Sequence, residues 1–126
     1  MNLKTLPFRL LIINDSQQEA QRLASMFQNS GKPCRAQHIS TLEAFHKTLS
    51  EQNWDLVIAD NDTLALPPVD AISAIRKHNS DLPVILLSSD EERRPVIDGL
   101  KLGACDVVQL DDDQHLLLVV ARELEN

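Results

Sequence analysis

Acidic and amide side chains collect directly after one apolar run of this chain. In the stretch WDLVIADNDT, the run LVIA leads into Asp60, Asn61 and Asp62. Carboxylates this close together repel each other, so the sequence calls for a compensating group. A hard divalent cation such as Mg²⁺ is one candidate, because it prefers carboxylate, carbonyl and water oxygens.

Two other apolar runs are also followed by polar residues, Asp15 after the first run and Ser88 after the fourth. If these runs are neighbouring parallel strands, Asp15, Asp60 and Ser88 share one crevice at the carboxyl edge of the sheet, where ligands bind in such folds. The alternative is that Asp15 or Ser16 only caps the following helix. Three such residues on three separate runs favour a site.

Strand-like and helix-like segments alternate along the chain. Short runs rich in Leu, Ile and Val indicate strands buried on both faces, and apolar residues at helical spacing follow each run. The second strand is the weakest and is predicted at an edge. The predicted strands are Phe8–Ile13, Arg35–Ile39, Leu56–Ala59, Val84–Leu87 and Val107–Leu110. This order predicts an α/β fold, a (βα)5 doubly wound, five-stranded parallel sheet between two helical layers.

Polar residues ahead of the helical segments predict where four helices begin. The predicted start residues, in chain order, are Ser16 with Glu19, Ser40 with Glu43, Asp70, and Ser89 with Glu92. In the fourth helix, Val96, Ile97 and Leu100 are predicted to face inward, and Gly103 to end it. The fifth helix is predicted over His115–Leu124.

Length, charge and cysteine content narrow the class of protein. A chain of 126 residues fits one domain, predicted over residues 1–126. A net charge of −7 argues against a nucleic-acid surface, and no apolar stretch approaches the roughly 20 residues of a membrane span. Cys34 and Cys105 have no partners at metal-ligand spacing, and no Gly-rich phosphate loop is present. The chain is expected to be cytoplasmic, with no nucleic-acid or membrane partner.

The motifs, taken in order, resemble the receiver domain of two-component response regulators, the CheY-like family. LLIINDS resembles the first strand with its acidic pair, DLVIAD the third strand with its phosphoacceptor, and LPVILLSS the fourth with its hydroxyl. GLKLGACDVV resembles the segment that leads into the fifth strand. The resemblance covers nearly the whole chain and implies a flavodoxin-like, three-layer sandwich.

The resemblance also implies a role for each matching residue. Asp60 would accept a phosphoryl group from a histidine kinase, and Ser88 would hydrogen-bond a phosphoryl oxygen. Mg²⁺ would be bound by the carboxylates of Asp15 and Asp60 and by the backbone carbonyl of Asp62. A metal in this place offsets the charge that develops during phosphoryl transfer.

Several positions depart from the family pattern. Asn14 replaces the first acid, so it could reach Mg²⁺ only through a water, and weak metal binding is expected. Leu110 stands where the family has a lysine, Asp111 where it has a proline, and Val107 where it has the aromatic residue of the switch. A lysine aimed at the phosphoryl group is a large electrostatic contribution, which leucine cannot supply. Transfer and readout are both expected to be impaired.

Arg93 or Arg94, at the start of the fourth helix, could replace the missing lysine, although helix arginines of this kind are usually just solvated. The fifth helix carries five consecutive apolar residues, more than the single apolar stripe of a surface helix. This excess predicts an interface with a second copy or a neighbouring domain, and the alternative is deeper cover by its own domain. The interface candidates are Leu116, Leu117, Leu118, Val119 and Val120.

Three functional hypotheses follow. The first is a divergent receiver that works mainly through protein–protein contact or dimerisation, with impaired phosphorylation. The second is a working Mg²⁺-dependent switch with Asp60 as phosphoacceptor, and the least favoured is a small haloacid-dehalogenase-type phosphatase. The pattern INDSQQEAQRL together with HLLLVVAREL is also similar to the N-terminal receivers of FimX-like proteins. That similarity implies downstream GGDEF and EAL domains and a place in cyclic-di-GMP signalling.

Overall fold

Five strands and five helices alternate along the chain in a computed structural model, which describes residues 7–78, 81–89 and 93–125. Each strand is followed by one helix, as predicted. The strands are β1 (Phe8–Ile13), β2 (Cys34–Ile39), β3 (Leu56–Asp60), β4 (Val84–Ser88) and β5 (Asp106–Gln109). The helices are α1 (Gln17–Asn29), α2 (Leu42–Glu51), α3 (Pro68–His78), α4 (Arg93–Leu102) and α5 (Asp113–Glu125).

The strands form one parallel sheet in the order β2-β1-β3-β4-β5. This arrangement confirms the predicted fold class, and it confirms β2 as an edge strand. Each strand boundary agrees with the prediction to within one residue. Because β1, β3 and β4 are neighbours, their carboxyl ends lie side by side, which is the arrangement the candidate site needs.

Two apolar layers hold the helices against the sheet. Alternate residues of each strand point to opposite faces, so Leu10 and Ile12 pack with α1 and α5, while Leu11 and Ile13 pack with α2 and α3. All four of these side chains are at most 1% exposed. The continuous apolar composition of the strands is therefore explained by cover on both faces.

The caps of the first two helices differ in part from the prediction. Ser16 caps α1 as predicted, since its hydroxyl accepts a hydrogen bond from Glu19 N at 3.2 Å. The reciprocal half of a capping box is absent, because the Glu19 carboxylate binds Arg22 instead. Thr41, and not Ser40, caps α2, with its hydroxyl 3.2 Å from Ala44 N. Ser40 and Thr41 both precede the first residue of α2, and the backbone places Thr41 at the N-cap position.

The third helix begins three residues earlier than predicted, because a cap at Asp70 would place its first residue at position 71. Pro68 is its first residue, so Asp70 lies in the first turn and does not cap it. Proline suits that position because it lacks the N–H that would have no partner there. For the fourth helix, the predicted Ser89–Glu92 start falls partly outside the described residues, as does the side chain of Val96. Gly103 follows α4 at φ 109°, a conformation that favours glycine.

The inward position predicted for Ile97 and Leu100 of α4 was wrong. Ile97 is 44% exposed and Leu100 is 48% exposed. The sheet is contacted instead by Gly99, and a Cβ placed there would lie 2.6 Å from Val107 Cγ2 and 3.0 Å from Leu86 Cδ1. Because a glycine makes this contact with the sheet, an apolar pattern could not identify it.

The fifth helix contributes most of its apolar run to its own core. Leu116, Val119 and Val120 are buried, so the prediction that they form an interface was wrong for these three. Their spacing of three and four residues places them on the single face that covers the sheet. Leu117 is partly buried, and Leu118 is 71% exposed. Leu118 is therefore the residue of the run that turns away from the domain.

The two thiols are free and partly or fully covered. Cys34 is buried and Cys105 is half-buried. Burial raises the pKa of the Cys34 thiol, and burial, aided by Glu123 and Asp106, raises that of Cys105 to about 11. Among the helices of the described ranges, none is both long and apolar enough to cross a membrane.

Candidate functional site

The carboxyl ends of three neighbouring strands bring the candidate residues to one edge of the sheet. Ile13 of β1 pairs with Ala59 of β3, so Asp60 continues β3 just beyond the end of β1. Asp60 in turn pairs with Leu87 of β4, immediately before Ser88. The prediction that polar residues on three strand ends share one edge is therefore supported by the register of the sheet.

The turn after β1 uses its two polar side chains in different ways. Asn14 is buried, and its Oδ1 accepts a hydrogen bond from Ser16 N at 3.1 Å. Its amide oxygen is thus engaged within the turn. Asp15 is exposed, and its Oδ2 accepts a hydrogen bond from Leu64 N at 3.0 Å. The Asp15 carboxylate is therefore fastened to the loop that follows β3.

Asp60 is half-buried at the centre of the edge. Its Oδ1 accepts a hydrogen bond from Asp62 N at 2.9 Å. Burial raises the pKa of the Asp60 carboxyl above its ordinary value, the hydrogen bond from Asp62 opposes this rise, and the charges of Asp62, Asp15 and Glu19 add to it. Each of these charged neighbours is a carboxylate. The repulsion inferred from the sequence thus appears as a penalty on ionised Asp60.

The loop after β3 is fixed by a residue that sequence reasoning missed. Thr63 is only 4% exposed, and its hydroxyl donates to the carbonyl oxygen of Asp60 at 2.8 Å and lies 3.5 Å from that of Ile13. Its backbone N–H also binds Asp60 O. On the far side of the site, Ser89 Oγ donates to Asp62 Oδ2 at 2.9 Å. The acidic loop is therefore anchored to three strands.

The position that the family gives to lysine lies beside Ser88. Leu110 N donates to Ser88 O at 2.8 Å, which extends the β4–β5 pairing past the strand and fixes residue 110 near the site. Ser88 itself is buried. The Leu110 side chain lines a cavity of about 400 Å³ together with Glu19, Arg22, Asp111 and Asp113.

The cation in that cavity is already engaged. Arg22 binds Glu19 at 2.8 Å and Asp113 at 2.9 Å, joining α1 to the start of α5. The hydrogen bond to Glu19 raises the pKa of the Arg22 guanidinium, so it stays charged. A pair at three-residue spacing on one helix could have been found from the sequence, whereas the Asp113 contact spans 91 residues.

The remaining predicted positions fall outside or at the rim of this edge. Asp111 is exposed, and Val107 is buried beneath α4, 7% exposed. The side chains of Arg93 and Arg94 lie outside the described residues, so a replacement of the lysine by either one stays a prediction.

The donor set at the edge fits a hard cation. The carboxylates of Asp15 and Asp60 and the backbone carbonyl of Asp62 lie on adjacent segments, and oxygen ligands are what Mg²⁺ accepts. One oxygen of each carboxylate already accepts a backbone N–H. Within residues 7–78, 81–89 and 93–125, no three His, Cys, Asp or Glu side chains gather as a metal cluster. A cation at this edge would therefore need the main-chain carbonyl of Asp62 and water as ligands in addition to the two carboxylates.

A family model identifies the class of protein that this fold and edge define. The response regulator receiver domain family matches residues 10–122, so the chain belongs to that family. Receiver domains of this kind act in two-component signalling, contact histidine kinases and effector domains, and typically bind Mg²⁺ at the phosphorylation site.

Individual proteins share sequence or fold with this chain at low identity. The chain is 28% identical over 102 residues to the uncharacterized transcriptional regulatory protein YclJ of Bacillus subtilis. The aligned segment is 79% of this chain and 43% of that protein. A putative response regulator of Chloroflexus aurantiacus superposes with a TM-score of 0.84, at 21% identity, over 96% of this chain and 100% of the other. The beryllofluoride-activated NtrC4 receiver domain dimer superposes with a TM-score of 0.80, at 19% identity, over 93% and 96%.

Replacing Asp60 by asparagine is expected to raise the Tm at neutral pH by about 2 °C. The folded-state pKa of Asp60 is raised, so its ionised form destabilises the folded protein at pH values above that pKa. As the pH falls through the raised pKa toward the ordinary value, the wild type takes up the proton and the difference should vanish. Thermal unfolding across this range measures it.

Asp111→Asn is the control for that experiment, because it removes an exposed carboxylate outside the edge. A Tm difference for Asp60→Asn that is equal at all pH values, or that matches the control, would contradict the effect of burial.

Proposed function

We propose that this receiver acts mainly through contact with another protein surface and that its phosphorylation is impaired. The observation that carries the proposal is the charge balance at Asp60. The charges of the described residues that shift its pKa are all carboxylates, and residue 110, fixed beside Ser88, is a leucine. A phosphoryl group brings further negative charge to this place, where a lysine ammonium would have offset it.

The proposed partner surface lies on α4 and α5, and the proposed partner is a second copy of the chain. Ile97, Leu100 and Leu102 of α4 are 44%, 48% and 39% exposed, and Leu118 of α5 is 71% exposed. These exposed residues lie on the two helices that contact the edge strand β5, and exposed apolar surface favours association. The NtrC4 receiver, which superposes on this chain, is described as a dimer.

The dimer is expected to be constitutive and to depend on Leu118. Leu118→Glu places a charge in the proposed interface and should shift the mass measured by light scattering from dimer to monomer. Leu64→Glu is the matched control, because Leu64 is 87% exposed and belongs to the loop between β3 and α3, and so to neither helix of the proposed surface. A wild type that is monomeric at all concentrations, or a loss of the dimer in both variants, would contradict the proposed surface.

The second candidate is a working phosphorylation switch, and one observation favours it. Asp15, Asp60 and Ser88 are all retained at adjacent strand ends. In that case Asp60 takes the phosphoryl group from a histidine kinase, Ser88 binds a phosphoryl oxygen, and Asn14 reaches a cation through water. Impaired transfer then means a slow switch and not an absent one.

Phosphorylation is tested by the intact mass of the protein after treatment with phosphoramidate, with and without Mg²⁺. We expect a phosphate adduct on a small fraction of the protein at most, and no change in the oligomeric state. Asp60→Ala should abolish any adduct that forms. A complete, stable, Mg²⁺-dependent adduct that alters the oligomeric state would overturn the proposal and establish the switch.

The wider setting is part of the proposal. We expect residues 1–126 to be a single signalling domain without a turnover reaction of its own, located in the cytoplasm and joined to further domains in a longer protein. The similarity to FimX-like receivers suggests GGDEF and EAL domains and cyclic-di-GMP signalling as that setting. Turnover of a phosphomonoester by the isolated domain would instead support the phosphatase hypothesis.

A further inference from the structure

The contact between Asp15 and Leu64 is made by the backbone of one residue and the carboxylate of the other. Leu64 N lies 3.0 Å from Asp15 Oδ2, while the Leu64 side chain is 87% exposed. Residue 64 therefore acts at this edge through its backbone N–H group. The N–H belongs to the loop after β3, and the carboxylate to the end of β1.

We propose that the Leu64 N–H competes with the divalent cation for Asp15, and so sets the metal affinity of the receiver. This inference rests on the proposed function, because it names a cause of impaired phosphorylation. While the hydrogen bond is formed, Oδ2 of Asp15 is directed at the loop. In this competition the cation takes Oδ2 of Asp15 and displaces the N–H.

The loop holds the N–H in place at little entropic cost. On its N-terminal side, Thr63 is buried and bound to Asp60 O through both its hydroxyl and its N–H. One residue earlier, Asp62 is held through its N–H by Asp60 and through its carboxylate by Ser89. A donor fixed in this way does not lose conformational freedom when it binds a carboxylate, so the bond persists.

The competition also accounts for an otherwise unfavourable charge distribution. The carboxylates of Asp15, Asp60 and Asp62 lie close enough for the first and third to raise the pKa of the second. Backbone N–H groups of this loop bind two of them, Leu64 for Asp15 and Asp62 for Asp60. Hydrogen bonds to the ionised form stabilise it. The loop thus supplies part of the compensation that a cation would otherwise provide.

Leu64→Pro removes the N–H, and the side chain that it replaces is 87% exposed. We expect the dissociation constant for Mg²⁺, measured by calorimetry, to fall by about tenfold, which corresponds to about 1.4 kcal/mol. Leu64→Ala keeps the N–H and is the matched control, expected to bind Mg²⁺ as the wild type does. Equal dissociation constants for the proline variant and the alanine variant would overturn the proposal.

A second measurement on the wild type decides the question if the proline variant does not fold. Saturating Mg²⁺ should accelerate hydrogen exchange at the Leu64 amide by about tenfold, since the amide loses its acceptor. Asp15→Ala should show the faster exchange without Mg²⁺. An amide that stays equally protected while Mg²⁺ saturates the site would refute the competition.

The two proposals fail in different ways. A wild type that phosphoramidate phosphorylates completely would refute impaired phosphorylation, whatever the affinities of the variants. A tenfold gain in Mg²⁺ affinity for Leu64→Pro would still support the competition. Equal affinities with little phosphate adduct would refute the competition alone.

Discussion

Replacing Leu110 by lysine is expected to raise the rate at which phosphoramidate phosphorylates Asp60 by about 100-fold. Residue 110 is held beside Ser88 by its backbone N–H, and Ser88 follows the residue that pairs with Asp60 in the sheet. Two strand spacings, about 10 Å, separate the backbones. A lysine side chain extending from position 110 can therefore direct its ammonium group toward the phosphoryl group.

The cavity at this position has room for the change. Leu110 lines a space of about 400 Å³ that also contains carboxylates of Glu19, Asp111 and Asp113. Arg22 lines the same cavity and already binds Glu19 and Asp113, so Asp111 is the carboxylate that favours the charged form of an introduced lysine. Asp111 is also a competing partner for the ammonium group, so we expect a gain at the lower end of what one such donor contributes.

The experiment compares initial rates of phosphate incorporation, measured by intact mass, for the wild type, Leu110→Lys and Leu110→Met. Methionine matches the length and apolar character of the replaced side chain without the charge, so its rate should equal that of the wild type. Adding Asp60→Ala to the lysine variant should abolish incorporation. Equal rates for the lysine and methionine variants would show that the missing cation is not what limits transfer.

Replacing Gly99 by valine is expected to lower the free energy of unfolding by about 3 kcal/mol. A Cβ at position 99 would lie 2.6 Å from Val107 Cγ2 and 3.0 Å from Leu86 Cδ1, and both of these side chains are buried. The larger residue therefore forces α4 away from the sheet. The better helix propensity of valine recovers only a few tenths of a kcal/mol. Urea unfolding measures the loss.

A second substitution tests whether that loss comes from the predicted contact. Val107→Ala removes the methyl group that a Cβ at position 99 would meet, so it should restore part of the stability in the Gly99→Val background. In the wild-type background the same change should destabilise, because it leaves a cavity. A coupling energy of at least about 0.5 kcal/mol is expected. Strictly additive effects would contradict the contact.

The strands and their order could be predicted because the sheet is covered on both faces. Leu10–Ile13 and Leu56–Ala59 are buried without interruption, and such runs leave an unambiguous apolar signal. The face of α4 could not be predicted in the same way. It contacts the sheet through Gly99, which has no side chain to count, while Ile97 and Leu100 are exposed.

The run in α5 misled for a related reason. Consecutive apolar residues indicate excess apolar surface, but they do not show which of them the domain itself covers. Leu116, Val119 and Val120 fill the core, and Leu118 alone of the run is strongly exposed. The predicted cap of α2 was wrong by one residue. Ser40 and Thr41 are both suitable N-cap residues, and only the backbone conformation distinguishes them.

At the candidate site, side chains at strand ends could be predicted and backbone groups could not. Asp15, Asp60 and Ser88 follow apolar runs, so their placement follows from parallel topology. The N–H of Leu64 belongs to a residue whose side chain gives no sign of a role. Thr63 is a buried hydroxyl in a loop, and only its distance to Asp60 O reveals that it anchors the acidic segment.

The state of the two thiols has a practical consequence for measuring how copies of this chain meet. Burial raises the pKa of Cys105 to about 11, so its thiol is scarcely ionised at neutral pH, and Cys34 is buried with its pKa also raised. The sequence contains no other cysteine. A cysteine introduced at Leu64, which is 87% exposed and lies outside the proposed interface, would therefore react first with a spin label or a fluorophore, and distances between labels could be measured without removing either native thiol.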